Sequence, residues 1–180
     1  MVLLGPASNI QHQVSVLYVC TGNICRSPLA EALLKDFAAR HGASGQLQVS
    51  SAGTHALPGN PATAEAKEAG RRLGLDLSRH RAREVTPQIA ARPDIILAAA
   101  QHHQDWLRRR FPQHENKVYL AMLFPQRLAG QRPAETDIPD PVGESVDFYL
   151  EVLNMLKPTL PRVFQGALAM RAGAEQEGER

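Results

Sequence analysis

Residues 14–34, VSVLYVCTGNICRSPLAEALL, restrict the fold more than any other stretch of this chain. Val14, Val16, Leu17, Tyr18 and Val19 form an almost unbroken apolar run, the pattern of a strand covered on both faces. Ser27 fits a helix N-cap and Pro28 the first helical position, where a missing N–H costs nothing. Leu29, Ala30, Leu33, Leu34 and Phe37 then fall at helical spacing and make one apolar stripe. A strand that passes directly into a helix predicts an α/β architecture, with Cys20 to Arg26 as the connection.

That connection has the parts of an oxyanion cradle. A loop feeding a helix N-terminus aims successive backbone N–H groups into one concavity, backed by the positive end of the helix dipole. Gly22 permits a left-handed or tightly curved backbone, and Asn23 is among the few other residues that tolerate one. Arg26 adds a planar fork able to hold two phosphate oxygens. A cysteine at position 20, facing amide donors and a guanidinium, is expected as a thiolate. A nucleophile beside a phosphate cradle implies attack on phosphorus.

Read in order, the rest alternates strands and helices. Residues 1–12 read as a flexible lead-in, 13–165 as a single domain and 166–180 as a polar tail. Strands are expected at 46–50, 94–98 and 117–120, and helices at roughly 62–73, 101–110 and 144–162. The last helix is interrupted near Pro158 and Pro161. Residues 51–61 and 121–144 read as loops. The prediction is a central four-stranded parallel sheet with helices on both faces, the first strand inside it and Cys20 at its carboxyl end.

Composition removes other classes. Twenty basic and eighteen acidic side chains leave +2, which proposes neither nucleic acid nor a membrane surface. Arg108-Arg109-Arg110 reads as a solvated helix face. No apolar run reaches bilayer-spanning length, and the opening residues lack a basic flank, so neither a span nor a signal peptide is expected. Two cysteines do not staple a secreted fold of this size, which suggests a reducing cytoplasm. Cys20 and Cys25 with His102-His103 fall near zinc-ligand spacing, but adjacent histidines seldom face one ion, and no metal or other cofactor is expected.

The string CTGNICRSP at 20–28 resembles the signature of the low-molecular-weight protein tyrosine phosphatases. SAGT at 51–54, the His80 segment, DIIL at 94–97 and Asp140-Pro141 extend the resemblance over about residues 14–162. The resemblance implies metal-independent hydrolysis of a phosphomonoester through a cysteinyl-phosphate. Cys20 is then the nucleophile, Arg26 the phosphate clamp, and Thr21, Gly22, Asn23, Ile24, Cys25 and Ser27 the rest of the cradle. Ser27 has two readings, as helix cap and as donor to the Cys20 sulfur.

A leaving oxygen needs a proton, and by composition alone Asp137 and Asp140 have equal claim. Only Asp140 matches the family's Asp-Pro motif. Asn23, Ser51 and His80 match positions that hydrogen-bond the loop into shape. Cys25 is either a packing residue or, as the family pairs these positions, a redox partner of Cys20.

The implied partner is a phosphorylated protein, with phosphotyrosine as the expected group, acted on by a monomer or weak dimer. His55, Leu57 and Val142 are the candidate substrate rim. They make a weaker aromatic clamp than in the eukaryotic branch, so the chain resembles the bacterial branch. Ile24 favours phosphotyrosine, because a similar phosphoarginine-specific sub-branch carries threonine there. Alternatives on the same scaffold are a phosphoarginine phosphatase, an arsenate reductase using a small external thiol, and a non-catalytic phosphate-binding module.

Overall fold

A computed structural model of the 180-residue chain describes residues 13–126 and 136–178, with side chains through residue 170. The lead-in expected at 1–12 therefore lies outside the described residues. Strand β1 (Val14–Cys20) runs directly into the phosphate-type loop and then helix α1 (Arg26–Arg40). There follow β2 (Leu47–Gly53), α2 (Ala64–Arg72), α3 (Pro87–Ala91), β3 (Ile95–Ala98), α4 (Gln101–Arg110) and β4 (Val118–Leu120). The chain closes with α5 (Val146–Leu156) and α6 (Leu160–Gly178). The four strands pair in parallel in the order β2-β1-β3-β4, so β1 is internal as expected.

The apolar run of β1 divides between two cores, because successive side chains of a strand leave opposite faces. Val14, Val16, Tyr18 and Cys20 join the larger core with Leu29, Leu33 and Leu34 of α1 and with α5 and α6. Leu17 and Val19 join the smaller one, with Ile96, Leu107, Phe111 and Leu120. Helices thus cover both faces. Cys20 shares its face with α1, the helix that follows it.

Several boundaries differ from the sequence reading, each for a tertiary reason. β2 continues through Ser51, Ala52 and Gly53, whose composition is that of a loop, because Tyr18, Val19 and Cys20 pair with them. Helix α1 takes Cys25 as its N-cap residue, with no side-chain cap. The expectation that Ser27 caps the helix is therefore corrected: Ser27 is already helical and its hydroxyl is used in the loop. Residues 166–170 are not a separate tail, since α6 runs on through them and Ala167 is fully buried in the larger core.

Two connections follow their sequence punctuation. Gly42 (φ 67°) comes just after the end of α1, and Thr86 caps the short α3 by accepting from Ile89 N.

Leu29, with no exposed surface, seats α1 on the sheet. Leu29→Ala is expected to lower unfolding stability by about 2–5 kcal/mol in urea titration. A loss below about 1 kcal/mol would show that this helix is not packed as described.

Candidate active site

The loop from Cys20 to Arg26 is shaped by one residue. Asn23 is fully buried and adopts a left-handed backbone (φ 54°). Its amide Nδ2 donates to Ser27 Oγ and to Ser51 Oγ, both at 2.9 Å. Its Oδ1 accepts from Arg83 N (3.0 Å), and its carbonyl lies 2.7 Å from His80 Nε2. Every polar atom of the side chain is engaged, which offsets the strained backbone. The network runs outward as well. Ser51 donates to Glu31 Oε2 at 2.6 Å, and Arg83 Nε donates to the Ser51 carbonyl at 2.8 Å.

Gly53, at the end of β2, lets the loop sit this close. A Cβ there would come within 2.4 Å of the Thr21 carbonyl and 3.0 Å of Asn23 N. Thr54 N and His55 N donate to the carbonyls of Cys20 and Thr21, so the segment after β2 is stitched to the loop through its backbone. This is the physical content of SAGT at 51–54.

Cys20 lies at the strand end with its sulfur 3.0 Å from Ser27 Oγ. Asn23 already donates to that oxygen, and the single Ser27 proton has two acceptors in reach, the sulfur and, at 3.4 Å, the Ala52 carbonyl. Cys25 is turned to other partners: its sulfur is 3.2 Å from Tyr149 Oη and 3.7 Å from Thr63 Oγ1. Burial pushes the Cys25 thiol up, opposed in part by those two hydroxyls. Both cysteines are buried free thiols.

Arg26 is buried, and its guanidinium bridges the loop to the far end of the chain. Nη1 donates to the Ile138 carbonyl (3.3 Å), and Nη2 forms an ion pair with Asp140 Oδ2 at 2.8 Å. The segment bearing Asp140 is docked just beyond the carboxyl end of the internal strand β3, where Ile138 N donates to the Ala99 carbonyl at 2.7 Å. Asp137 and Asp140 thereby separate. Asp137 accepts from Gln101 N at 2.8 Å and so caps α4, whose N-cap residue Ala100 has no side-chain acceptor. Asp140 reaches the loop.

The proposed rim is uneven. Leu57 and Val142 are 71% and 59% exposed, and His55 is exposed with its ring in edge contact with Trp106 of α4 (centroids 5.8 Å apart). Trp106 adds an aromatic surface that its place in a polar, arginine-rich helix did not announce. Other residues were missed as well. Glu31 stands one helical turn after Ser27, a spacing that could have revealed it. Arg83, Thr63, Tyr149 and His103 have no local signal. His103 Nε2 lies 2.8 Å from Thr21 Oγ1. Burial, followed by the charges of Arg26, His102 and His55, lowers its pKa to about 3. Among the described residues no group of three or more metal-ligating side chains converges, and no helix is long and apolar enough to cross a membrane.

A loop that presents a cysteine, a buried arginine and a distant aspartate at the end of a parallel strand defines a cysteine-dependent phosphatase site. Comparison narrows the class. Residues 15–172 match the low molecular weight phosphotyrosine protein phosphatase family, and the chain belongs to it. It is a hydrolase family.

The low molecular weight protein-tyrosine-phosphatase Etp of Escherichia coli (strain K12) is 38% identical over 143 residues, covering 79% of this chain and 87% of that protein. A protein-arginine-phosphatase of Bacillus subtilis (strain 168) is 33% identical over 147 residues, covering 82% and 92%. Among solved structures, a mutant of the YwlE arginine phosphatase with a phosphorylated active-site serine superposes with a TM-score of 0.75 at 31% identity, covering 85% of this chain and 95% of that one. The tyrosine phosphatase Wzb from Escherichia coli K30, in complex with sulphate, gives 0.72 at 28%, covering 86% and 99%.

Two outcomes test this geometry. Gly53→Ala should lower kcat/KM at least tenfold while the fold survives, because about 1–3 kcal/mol of overpacking strain falls on the loop carbonyl and amide. Steady-state kinetics with circular dichroism of the same sample checks it. The second outcome concerns pH. His103 takes up a proton near pH 6.5 when unfolded but only near pH 3 when folded, so it favours folding above pH 6.5 and loses that contribution as pH falls towards 3. Thermal midpoints between pH 7 and pH 4 should therefore fall more steeply for the native chain than for His103→Gln.

Proposed function

We propose that the protein hydrolyses phosphotyrosine in proteins, with Cys20 as nucleophile, Arg26 as oxyanion clamp and Asp140 as acid and then base. The observation that carries this reading is the 2.8 Å contact between Arg26 and Asp140, 114 residues apart, beside the loop that holds Cys20. It supports the reading by bringing the proposed clamp and the proposed acid together beside the loop of the proposed nucleophile.

The substrate dianion enters the loop, takes over the Arg26 fork and displaces the Asp140 carboxylate. The dianion's charge favours the protonated form of Asp140. The Cys20 thiolate attacks phosphorus in line. A sulfur–phosphorus bond forms as the phosphorus–oxygen bond breaks, and Asp140 gives its proton to the departing phenolate. Loop amides and Arg26 hold the three equatorial oxygens. Water then attacks phosphorus while the Asp140 carboxylate accepts its proton. The sulfur leaves as a thiolate, met by the Ser27 hydroxyl at 3.0 Å.

Thr21, Gly22, Ile24 and Cys25 complete the cradle, while Asn23, Ser51 and His80 hold its shape. Cys25 serves as redox partner: its thiol condenses with an oxidised Cys20 sulfenic acid, releasing water and forming a disulfide that a cellular thiol can reduce. The protein works as a monomer or weak dimer in the cytoplasm.

Phosphotyrosine is favoured over phosphoarginine by Ile24. Its partly buried aliphatic side chain packs on the core and brings no hydroxyl to a guanidino N–H. His55 with Trp106, and the exposed Leu57 and Val142, offer an apolar rim to an aryl ring. Phosphate release from matched peptides should rank phosphotyrosine above phosphoarginine, and Ile24→Thr should narrow that gap. The opposite ranking would overturn the substrate assignment.

On p-nitrophenyl phosphate, Cys20→Ser should abolish turnover. Asp140→Ala should slow phenyl phosphate far more than p-nitrophenyl phosphate, roughly 10²-fold or more, because the poorer leaving group needs the proton. Equal slowing of both esters would remove Asp140 from the role of acid.

A further inference from the structure

His103, on the first turn of α4, is 1% exposed. Its Nε2 meets Thr21 Oγ1 at 2.8 Å, and its Nδ1 is buried with no hydrogen-bond partner among the described residues. Thr21 Oγ1 lies in turn 3.5 Å from Arg26 Nη2. A guanidinium can only donate, so the Thr21 oxygen accepts from Arg26; with one proton and a second lone pair left, the hydroxyl pairs with Nε2 in either tautomer of the ring. Nδ1 is left unpaired in both. Burying an unpaired ring nitrogen is unfavourable where a leucine would pack freely. The contact with Thr21 is what distinguishes a histidine from a leucine here.

We infer that His103 is a positioning residue for Arg26: acting through the Thr21 hydroxyl, it keeps the guanidinium in place while Asp140 detaches from it. The inference rests on the phosphatase reading above. In the resting site Arg26 has three tethers: the Ile138 carbonyl at 3.3 Å, Asp140 at 2.8 Å and Thr21 at 3.5 Å.

The shortest tether is the one the reaction breaks, since Asp140 must take a proton and turn to the leaving oxygen. The guanidinium must not move at that moment. The Thr21–His103 arm does not change with the reaction, because the imidazole stays neutral. Burial opposes its second proton, as do Arg26 from α1, His55 from the segment after β2 and His102 from α4. A neutral ring keeps its hydrogen bond with Thr21, whereas a charged one would repel Arg26.

The test uses the full chain with Thr21→Val, His103→Leu, His103→Gln and the double variant T21V/H103L. Turnover of p-nitrophenyl phosphate, calorimetric affinity for inorganic phosphate and thermal midpoint are measured on each. Thr21→Val and His103→Leu should each weaken phosphate binding and lower kcat/KM about tenfold, the loss expected for one hydrogen bond within a charged network. The double variant should be no worse than either single one, because both cut the same arm. His103→Gln, whose amide can accept from Thr21 or donate to it, should recover most of the loss, while His103→Leu keeps or raises the thermal midpoint.

Additive losses in the double variant, or unchanged phosphate affinity and kcat/KM in His103→Leu, would overturn the inference. If His103→Leu does not fold, Thr21→Val decides alone, and undiminished phosphate affinity there counts against it. A native chain that binds phosphate but hydrolyses no phosphomonoester would refute the phosphatase reading, while the calorimetry would still report on the tether.

Discussion

The site depends on one buried residue held in a left-handed backbone. Asn23 at φ 54° turns the chain back between strand and helix, and that turn makes a ring of the loop. Such a conformation is unfavourable for any residue with a Cβ. It persists because Ser27, Ser51, Arg83 and His80 each hold one of the residue's polar atoms. These partners come from α1, from β2 and from the segment after α2. The loop therefore has its shape before any ligand arrives, and no binding energy is needed to form it. The same bonds leave the Ser27 proton to the sulfur and the Ala52 carbonyl.

Much of this is legible in the sequence because it is local. The run 14–20, the Gly-Asn pair, and Arg26 ahead of an apolar stripe announce strand, loop and helix within 21 residues. The parallel sheet follows from the alternation of elements. What the sequence conceals depends on partners far along the chain. Ser27 looks like a cap, but a loop that already orients the helix start makes a capping side chain unnecessary, and its hydroxyl serves Cys20 instead. Ser51 to Gly53 look like turn formers, yet β1 recruits them as strand. Residues 166–170 look polar enough for a tail until Ala167 is found in the core.

The aspartates show where sequence reasoning stops. Asp137 and Asp140 lie in one proline-rich stretch; the Asp-Pro motif marks Asp140, but composition and spacing do not show which of the two reaches the loop. Packing does. The bond from Ile138 N to the Ala99 carbonyl fixes the segment beyond the carboxyl end of β3, so Asp137 falls on the start of α4 while Asp140, three residues on, meets the loop. His103 is harder still. Its role depends on the Thr21 hydroxyl 82 positions away, and in sequence it is one of two adjacent histidines.

The Arg26–Asp140 pair has an asymmetry that suits the proposed chemistry. The arginine side chain is 5% exposed and the aspartate 51%. Water competes for the carboxylate and screens the pair from its side, so the contact is weak to break in that direction. The guanidinium has no such exit. It is enclosed, and stripping it of every anion would leave a buried charge unpaired, which is strongly unfavourable. The exchange therefore has a preferred order: a phosphate dianion must approach before the carboxylate can leave at low cost, and the departing group is the one that the reaction next requires as an acid. In the proposed reaction, substrate arrival and release of the acid then become one event, set by which partner of the ion pair faces water.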